Sequence, residues 1–330
     1  MIKSRNLAPF IHTEKTAPYI YLTHIAALLP CVVSGIVFYG IRALALMVIC
    51  SGSFMILDNL FGRMVRRDGI DRNYTDFSSI ESGLIYALML PPGTSIAVAL
   101  LGVLFGSFVI KQFFGGSGNN IINPACGARL LIELIVPSQL GGFVNPISSW
   151  FGFASLVGNT DSFIPADDPG SLYIIELLTG NYVGYIGMSC SVLIVMAAIY
   201  QAAKGTTRLY APISYLTVLV ILFPFVIRDI TSPSDFFRSL ATFMLSSGVI
   251  FVATYMLGEL TTMPSRMWGG VIAGAICAAM TCVLYGRVSV MCAVLAPVVA
   301  INFMSFEIDF FTKTIAHRGK TRQREVKVKG

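Results

Sequence analysis

Three glutamates and one glycine-rich stretch stand out chemically from an apolar background. Glu81 lies inside a short apolar run. Glu133 lies inside another, four positions after Arg129. Glu259 sits at the inner end of a third, before Leu260-Thr261-Thr262-Met263-Pro264. Carboxylates at membrane depth are costly unless paired, so such groups are candidates for relaying protons or cations. For Glu133, the i, i+4 spacing also offers a structural pair with Arg129 that neutralises both charges. For Glu81 and Glu259 the competing reading is an interfacial place at the cytoplasmic end of a span. Asp58 reads as interfacial, solvated near the end of its own run.

The glycine-rich stretch is Gly115-Gly116-Ser117-Gly118-Asn119-Asn120-Ile121-Ile122-Asn123-Pro124-Ala125. Its glycines let backbone approach a ligand closely, and proline suits the first turn of a helix. A helix start facing a cavity would offer N–H groups to an anionic or polar ligand. Asn120 and Asn123 could cap helices or bond a heterocycle, and a plain tight turn between helices explains the same residues. The stretch is neither a P-loop nor a GxGxxG fingerprint. Other chemistry is scarce. The seven cysteines lie in or beside apolar runs without CxxC spacing, and the three histidines are scattered. No zinc or iron–sulfur site and no Ser/His/Asp arrangement is expected from this chain.

The elements that must hold these residues are membrane helices. Of the 330 residues, 55% are hydrophobic and only 12% charged, against about 25% charged in a soluble domain. Mean hydropathy is +0.75. Apolar runs occur near 20–40, 43–60, 78–92, 94–110, 124–136, 183–203, 210–227, 239–257, 268–286 and 288–305. They predict an all-α, polytopic membrane protein with about ten transmembrane helices. The runs 78–92 and 124–136 are short and bounded by proline or glycine, as broken helices buried in protein would be. Lys and Arg fall on one side if both termini are cytoplasmic: Arg63, Arg66, Arg67 and Arg72, then Lys111, Lys204, Arg208 and Arg266. The expected organisation is a cytoplasmic segment 1–18, a membrane domain 19–312 with an external loop 137–182, and a basic cytoplasmic tail 313–330. That tail holds seven Lys/Arg and one Glu without interleaved aromatics. It suits anionic lipid or acidic partner subunits, and does not suit nucleic acid.

Ser82-Gly83-Leu84-Ile85-Tyr86 reads like Ser247-Gly248-Val249-Ile250-Phe251, half the chain away. On the topology above the two helices run in opposite senses, as an inverted repeat requires.

At these residues the chain resembles a known family, RnfD/NqrB: a membrane subunit of the Rnf electron transport complex and its relative in the sodium-pumping NADH:quinone reductase. The resemblance rests on Ser79 to Pro92, on Lys111 to Ala125 with the family's K-x-x-F-G-G-x-G-x-N-x-F-N-P-A spacing, and on Ser247 to Pro264. It covers roughly residues 15 to 312. It implies a ten-helix subunit in the cell (inner) membrane, inside an ion-translocating electron transport complex with other membrane and peripheral subunits. Electrons would pass through flavin, coupled to Na⁺ or H⁺ movement, with the NADH or ferredoxin sites on partner subunits. It also implies FMN, linked by a phosphoester to a threonine of an S-G-A-T motif in an external loop. A second, non-covalent flavin or a quinone would lie near Gly115, Gly116, Gly118, Asn120 and Asn123.

The chain departs from that pattern. Its nearest match to the anchor motif is Val157-Gly158-Asn159-Thr160, which makes Thr160 the candidate FMN anchor. Met188 stands where the family commonly has Glu, and Glu259-Leu260 stand where it has Asp-Pro. These changes fit a divergent member, one that passes electrons to extracellular flavoproteins among the alternatives. Broken helices and glycine-rich loops would equally suit a channel for a small neutral solute or ammonium. A cofactor-free scaffold is a third reading.

Overall fold

The computed structural model describes residues 16–65, 77–116, 118–140, 142–144, 146, 174–225 and 233–329, and the account that follows is confined to them. All regular structure among the described residues is helical, and each of the ten apolar runs contains a helix. The protein is a multi-pass membrane bundle. The first two runs form one continuous element, α1 (Ala17–Val65), broken at Gly40, whose φ of 71° and ψ of −157° are non-helical. Only glycine adopts that conformation cheaply. Each arm has more than the roughly 20 residues that a crossing needs.

Then come α2 (Phe77–Leu88) and α3 (Ile96–Leu104), which continues as a π-helical turn, Phe105–Gln112. They are followed by α4 (Pro124–Ile135), a 3₁₀ turn (Pro137–Gln139) and the short α5 (Ile174–Thr179). Next are α6 (Ser191–Lys204), α7 (Tyr210–Leu222), α8 (Pro233–Ser246) and α9 (Val249–Val252), the last with its own π-helical turn, Ala253–Leu257. The chain closes with α10 (Met267–Leu284) and α11 (Val290–Lys329). By length and apolarity, Ala17–Phe61, Met267–Leu284 and Val290–Ile315 are full spans. Phe236–Ser246 and Val249–Leu257 together have the length and apolarity of a span but are bent by 51°, the form of a broken span or a re-entrant loop. The remaining apolar helices are shorter, and α2 and α4, with 12 residues each, are far too short to cross alone.

Short helices expose backbone that must be satisfied inside the protein. The end of α2 shows how. The carbonyls of Leu88 and Leu90 accept from the amides of Gly187 and Ile186, at 2.8 and 3.1 Å. The run expected to be helical from 183 is therefore irregular up to Cys190. At the break between α8 and α9, the Leu245 carbonyl accepts from the hydroxyls of Tyr182 (3.1 Å) and Ser191 (2.9 Å). Met188 is buried against the same break, where a Cβ on Gly248 would lie 2.4 Å from its Cε. The interrupted segments of both halves thus meet in the interior.

Helix pairs close on small residues, as membrane packing favours. A Cβ on Gly83 of α2 would lie 2.6 Å from the Ser51 Cα of α1, and one on Gly274 of α10 would lie 2.3 Å from the Ala211 carbonyl of α7. The capping of α4 recurs at α11. Asn123 Oδ1 accepts from the Cys126 amide (3.0 Å), and Ser289 Oγ accepts from the Cys292 amide (3.3 Å). That places equivalent caps half a chain apart, within one position of the spacing between the two Ser-Gly motifs.

Candidate functional site

Glu81 is the inward-facing acid of α2, and it is paired. Its Oε1 lies 2.7 Å from Nδ1 of His24 on α1, and both side chains are about nine-tenths buried. The other ring nitrogen, Nε2, lies 3.0 Å from the Thr206 carbonyl, in the connection between α6 and α7. Glu81 is therefore not an interfacial residue facing water. His24, one of three histidines that read as scattered, is its partner. The pair is drawn from segments 57 residues apart, joined by the α1–α2 packing.

The Thr206 connection leads to the second acid. Thr207 Oγ1 and the Arg208 amide both donate to the Gly258 carbonyl, at 2.9 and 3.1 Å. Next to Gly258, Glu259 lies in the connection between the α9 π-helical turn and α10. It is half-buried and accepts from Asn123 Nδ2 and from Thr262, each at 2.8 Å, and from Thr261 at 2.5 Å. Burial pushes the Glu259 carboxyl above its ordinary value. The nearby Glu81 charge adds to the rise, while the threonine and asparagine donors oppose it. Glu259 anchors the start of α4. Asn123 serves both ends, capping α4 with its oxygen and holding Glu259 with its nitrogen. Its amide donates to Asn302 on α11, whose own amide group donates to the Val298 carbonyl. The α4 start is thus already capped by protein.

Gly115, Gly116 and Gly118 have φ of 108°, 82° and 89°. The chain turns back here: the Gly116 amide donates to the Lys111 carbonyl (2.9 Å) and the Asn119 amide to the Gly116 carbonyl (3.1 Å). The buried Asn120 Oδ1 has no hydrogen-bond partner among the described residues. A buried acceptor left unmatched is uncommon and calls for a donor. Beside the hairpin lies an apolar cleft of about 370 Å³, lined by Val109, Phe113, Ile122, Gly127, Leu130 and Phe303. It opens to the outside of the bundle, where Phe113 and Phe303 are exposed.

Two further charge pairs are structural in form. Lys111 is fully buried in the π-helical turn after α3, and its Nζ lies 2.8 Å from Asp58 Oδ2 on α1. It also donates to Ser78 (2.7 Å) and Ser79 (2.8 Å), while Ser79 and Gln112 bond Asp58. Asp58 is therefore buried and paired where solvation at an interface was expected, and Lys111 is not a loop charge that marks the cytoplasmic side. The widened turn explains the placement, since an extra residue per turn swings Lys111 and Gln112 towards α1. Glu133 pairs with Arg129 at 2.6 Å, in keeping with the i, i+4 spacing. Arg129 also donates to the Met89 carbonyl (3.1 Å) and stacks 5.8 Å from the Tyr185 ring centre.

The structure thus brings Glu81, Glu259 and Asn123 into one neighbourhood through His24 and the Thr206 connection, with the glycine hairpin leading into it. Glu133 sits apart. Thr160, with most of the external loop, lies outside the described residues. Sequence reasoning missed His24 and the Asp58–Lys111 pair. One signal was available: each charge lay in or at the end of an apolar run, and such charges pair with one another.

A family model described as NQR2, RnfD, RnfE matches residues 4–317. In Acetobacterium woodii, the subunit named D of the Na(+)-translocating ferredoxin:NAD(+) oxidoreductase complex is 26% identical over 93% of this chain and 92% of its own length. The subunit likewise named D of an ion-translocating oxidoreductase complex from Escherichia coli is 25% identical over 48% of this chain and 43% of its own. The Rhodobacter capsulatus protein of that name is 29% identical over 48% and 44%.

Proposed function

Because the chain belongs to the NQR2, RnfD, RnfE family, we propose that it is the membrane subunit of an ion-translocating electron transport complex of the Rnf type. The observation that carries this reading is the end-to-end match to the Acetobacterium woodii protein. On this reading the chain sits in the cell membrane with both termini in the cytoplasm. It assembles with membrane and peripheral subunits that carry the ferredoxin and NAD⁺ chemistry. It acts as part of a redox-driven translocase.

Flavin is the proposed electron carrier. The residues of the hairpin fit one: the unmatched Asn120 oxygen suits an N–H of a flavin ring, Gly115, Gly116 and Gly118 keep the backbone free of Cβ atoms, and the neighbouring cleft is apolar. Bound flavin would supply one- and two-electron transfer. FMN linked covalently at Thr160 is a separate proposal, supported by the family resemblance alone. For the ion, Glu81 and Glu259 are the coupling candidates, because Glu81 is buried, Glu259 half-buried, and each is joined to a non-helical connection. Moving one charge across the membrane corresponds to about 2.3 kcal/mol per 100 mV, a load within reach of a redox step.

The test is purification of the tagged chain from its native membranes. Companion redox subunits, flavin absorbance and ferredoxin-dependent NAD⁺ reduction are expected. Intact mass should exceed the polypeptide by one FMN phosphoester if Thr160 is the anchor, and Thr160→Ala should remove the excess. A chain that purifies without redox partners or flavin, and that alone leaks a small solute from liposomes, refutes the reading.

A further inference from the structure

Each nitrogen of the His24 ring faces an oxygen, Nδ1 the Glu81 carboxyl at 2.7 Å and Nε2 the Thr206 carbonyl at 3.0 Å. A carbonyl oxygen only accepts, so the second contact requires a hydrogen on Nε2. A neutral ring with its hydrogen there has a bare lone pair on Nδ1. That lone pair would face an ionised carboxylate at hydrogen-bonding distance, acceptor against acceptor. The other neutral tautomer moves the same clash to Thr206 and leaves a net negative charge buried. Both contacts are satisfied only when one more proton lies on the Nδ1–Oε1 line. It sits either on the ring, as imidazolium and carboxylate, or on the acid, as two neutral partners. The two forms have the same proton count and the same net charge of zero.

The groups that face the ring supply no substitute for that proton. The Tyr255 hydroxyl, from the α9 π-helical turn, donates to the Ala27 carbonyl (2.9 Å) and faces Cys31 of α1 at 3.8 Å. Glu259 is the other carboxylate within electrostatic range of the ring. Among the described residues, no further acidic or basic group reaches the ring from the elements around it.

We propose that His24 and Glu81 form a single proton-binding site, in which one proton latches α1 to α2 and its departure opens the contact. Once the proton leaves to water, Glu81 is ionised, His24 is neutral, and lone pairs face each other. The pair separates, and α1 loses the His24–Glu81 tie to α2, while the Nε2 hydrogen still bonds the Thr206 connection, which leads to Gly258 beside Glu259. The ligand is a proton. A sodium ion, which prefers oxygen donors, would have to displace the imidazole from Glu81. The site belongs to this chain's own packing and holds whether or not the protein carries flavin.

The experiment uses the full chain in lipid vesicles, labelled with ¹⁵N-histidine, over a pH series with and without sodium. His24→Gln assigns the His24 resonances. The expected result is either a ring with hydrogen on both nitrogens or, in the infrared, a protonated-carboxyl band lost in Glu81→Gln. Raising the pH should remove that signal and increase deuterium uptake in the residue 17–30 segment. Glu81→Gln should abolish this pH dependence, because a glutamine amide donates to bare Nδ1 at every pH. A wild-type ring with bare Nδ1 beside an ionised Glu81 at the lowest pH of the series overturns the proposal, and so does loss of the signal on adding sodium at fixed pH. Deuterium uptake that does not follow the proton signal removes the latch. The wild-type spectra decide the matter even if a variant fails to fold.

Discussion

At the scale of single residues, the interior is organised by charges that have found partners. Removing Lys111 would leave the buried Asp58 carboxyl without its cation and held only by neutral donors. Lys111→Met should therefore lower stability by about 3–5 kcal/mol. The double variant Lys111→Met/Asp58→Asn should recover part of that loss, because it leaves no charge behind. Thermal unfolding of the protein in detergent, compared across the singles and the double, measures the difference. Asn123 has two tasks, and Asn123→Ala should cost about 1 kcal/mol through the α4 cap alone. Its effect on Glu259 is separable by pH. Because burial raises that carboxyl in the folded protein, Glu259 supports stability fully below its ordinary range, and the contribution fades as pH rises through the raised value. Glu259→Gln should flatten this part of the stability–pH curve, while Asn123→Ala should steepen it by removing a donor to the ionised form.

At the scale of elements, close approach of α1 and α2 sets the geometry of both pairs that join them, His24 with Glu81 and Asp58 with the Ser79 end of the Lys111 network. Gly83 is the point of contact. Gly83→Val should force the helices apart, since even a Cβ would meet backbone at 2.6 Å. The expected outcome is destabilisation together with loss of the His24–Glu81 proton signal, read by melting and by the ¹⁵N spectrum. How far these elements are legible in sequence varies. Hydropathy locates the helices except the short α5, which lies in the stretch read as an external loop, because burial in lipid demands apolar side chains all round. The break in α1 falls between the first two runs, as their spacing implies. Residues 183–190 are as apolar as a span, yet non-helical, and the amides of Ile186 and Gly187 are taken by carbonyls about a hundred residues earlier. Local composition carries no trace of a partner that distant. For the same reason Glu81 is recognisable as an unusual residue, while His24 as its partner is not.

At the scale of the whole molecule, the two halves share a pattern: a Ser-Gly motif, a broken or short helix, a π-helical turn, and a capped helix start three residues before a cysteine. The interrupted segments meet centrally, and the two acids with an open functional reading, Glu81 and Glu259, lie close to them. A redox complex built around this chain should lose coupled ion transport in Glu81→Gln and Glu259→Gln while keeping electron transfer through its soluble subunits. Membrane vesicles assayed for both NAD⁺ reduction and ion uptake separate the two effects.

The backbone bonding from the amides of residues 186–187 to the carbonyls at the end of α2 constrains biogenesis. A 12-residue helix with open carbonyls has no stable resting place in lipid before its distant partner has been synthesised. The insertion machinery must therefore retain or shelter the first half until the second emerges, and release the two as one unit. A chain truncated after α4 would be handed to membrane proteases, whereas one truncated within the basic end of α11 would still mature.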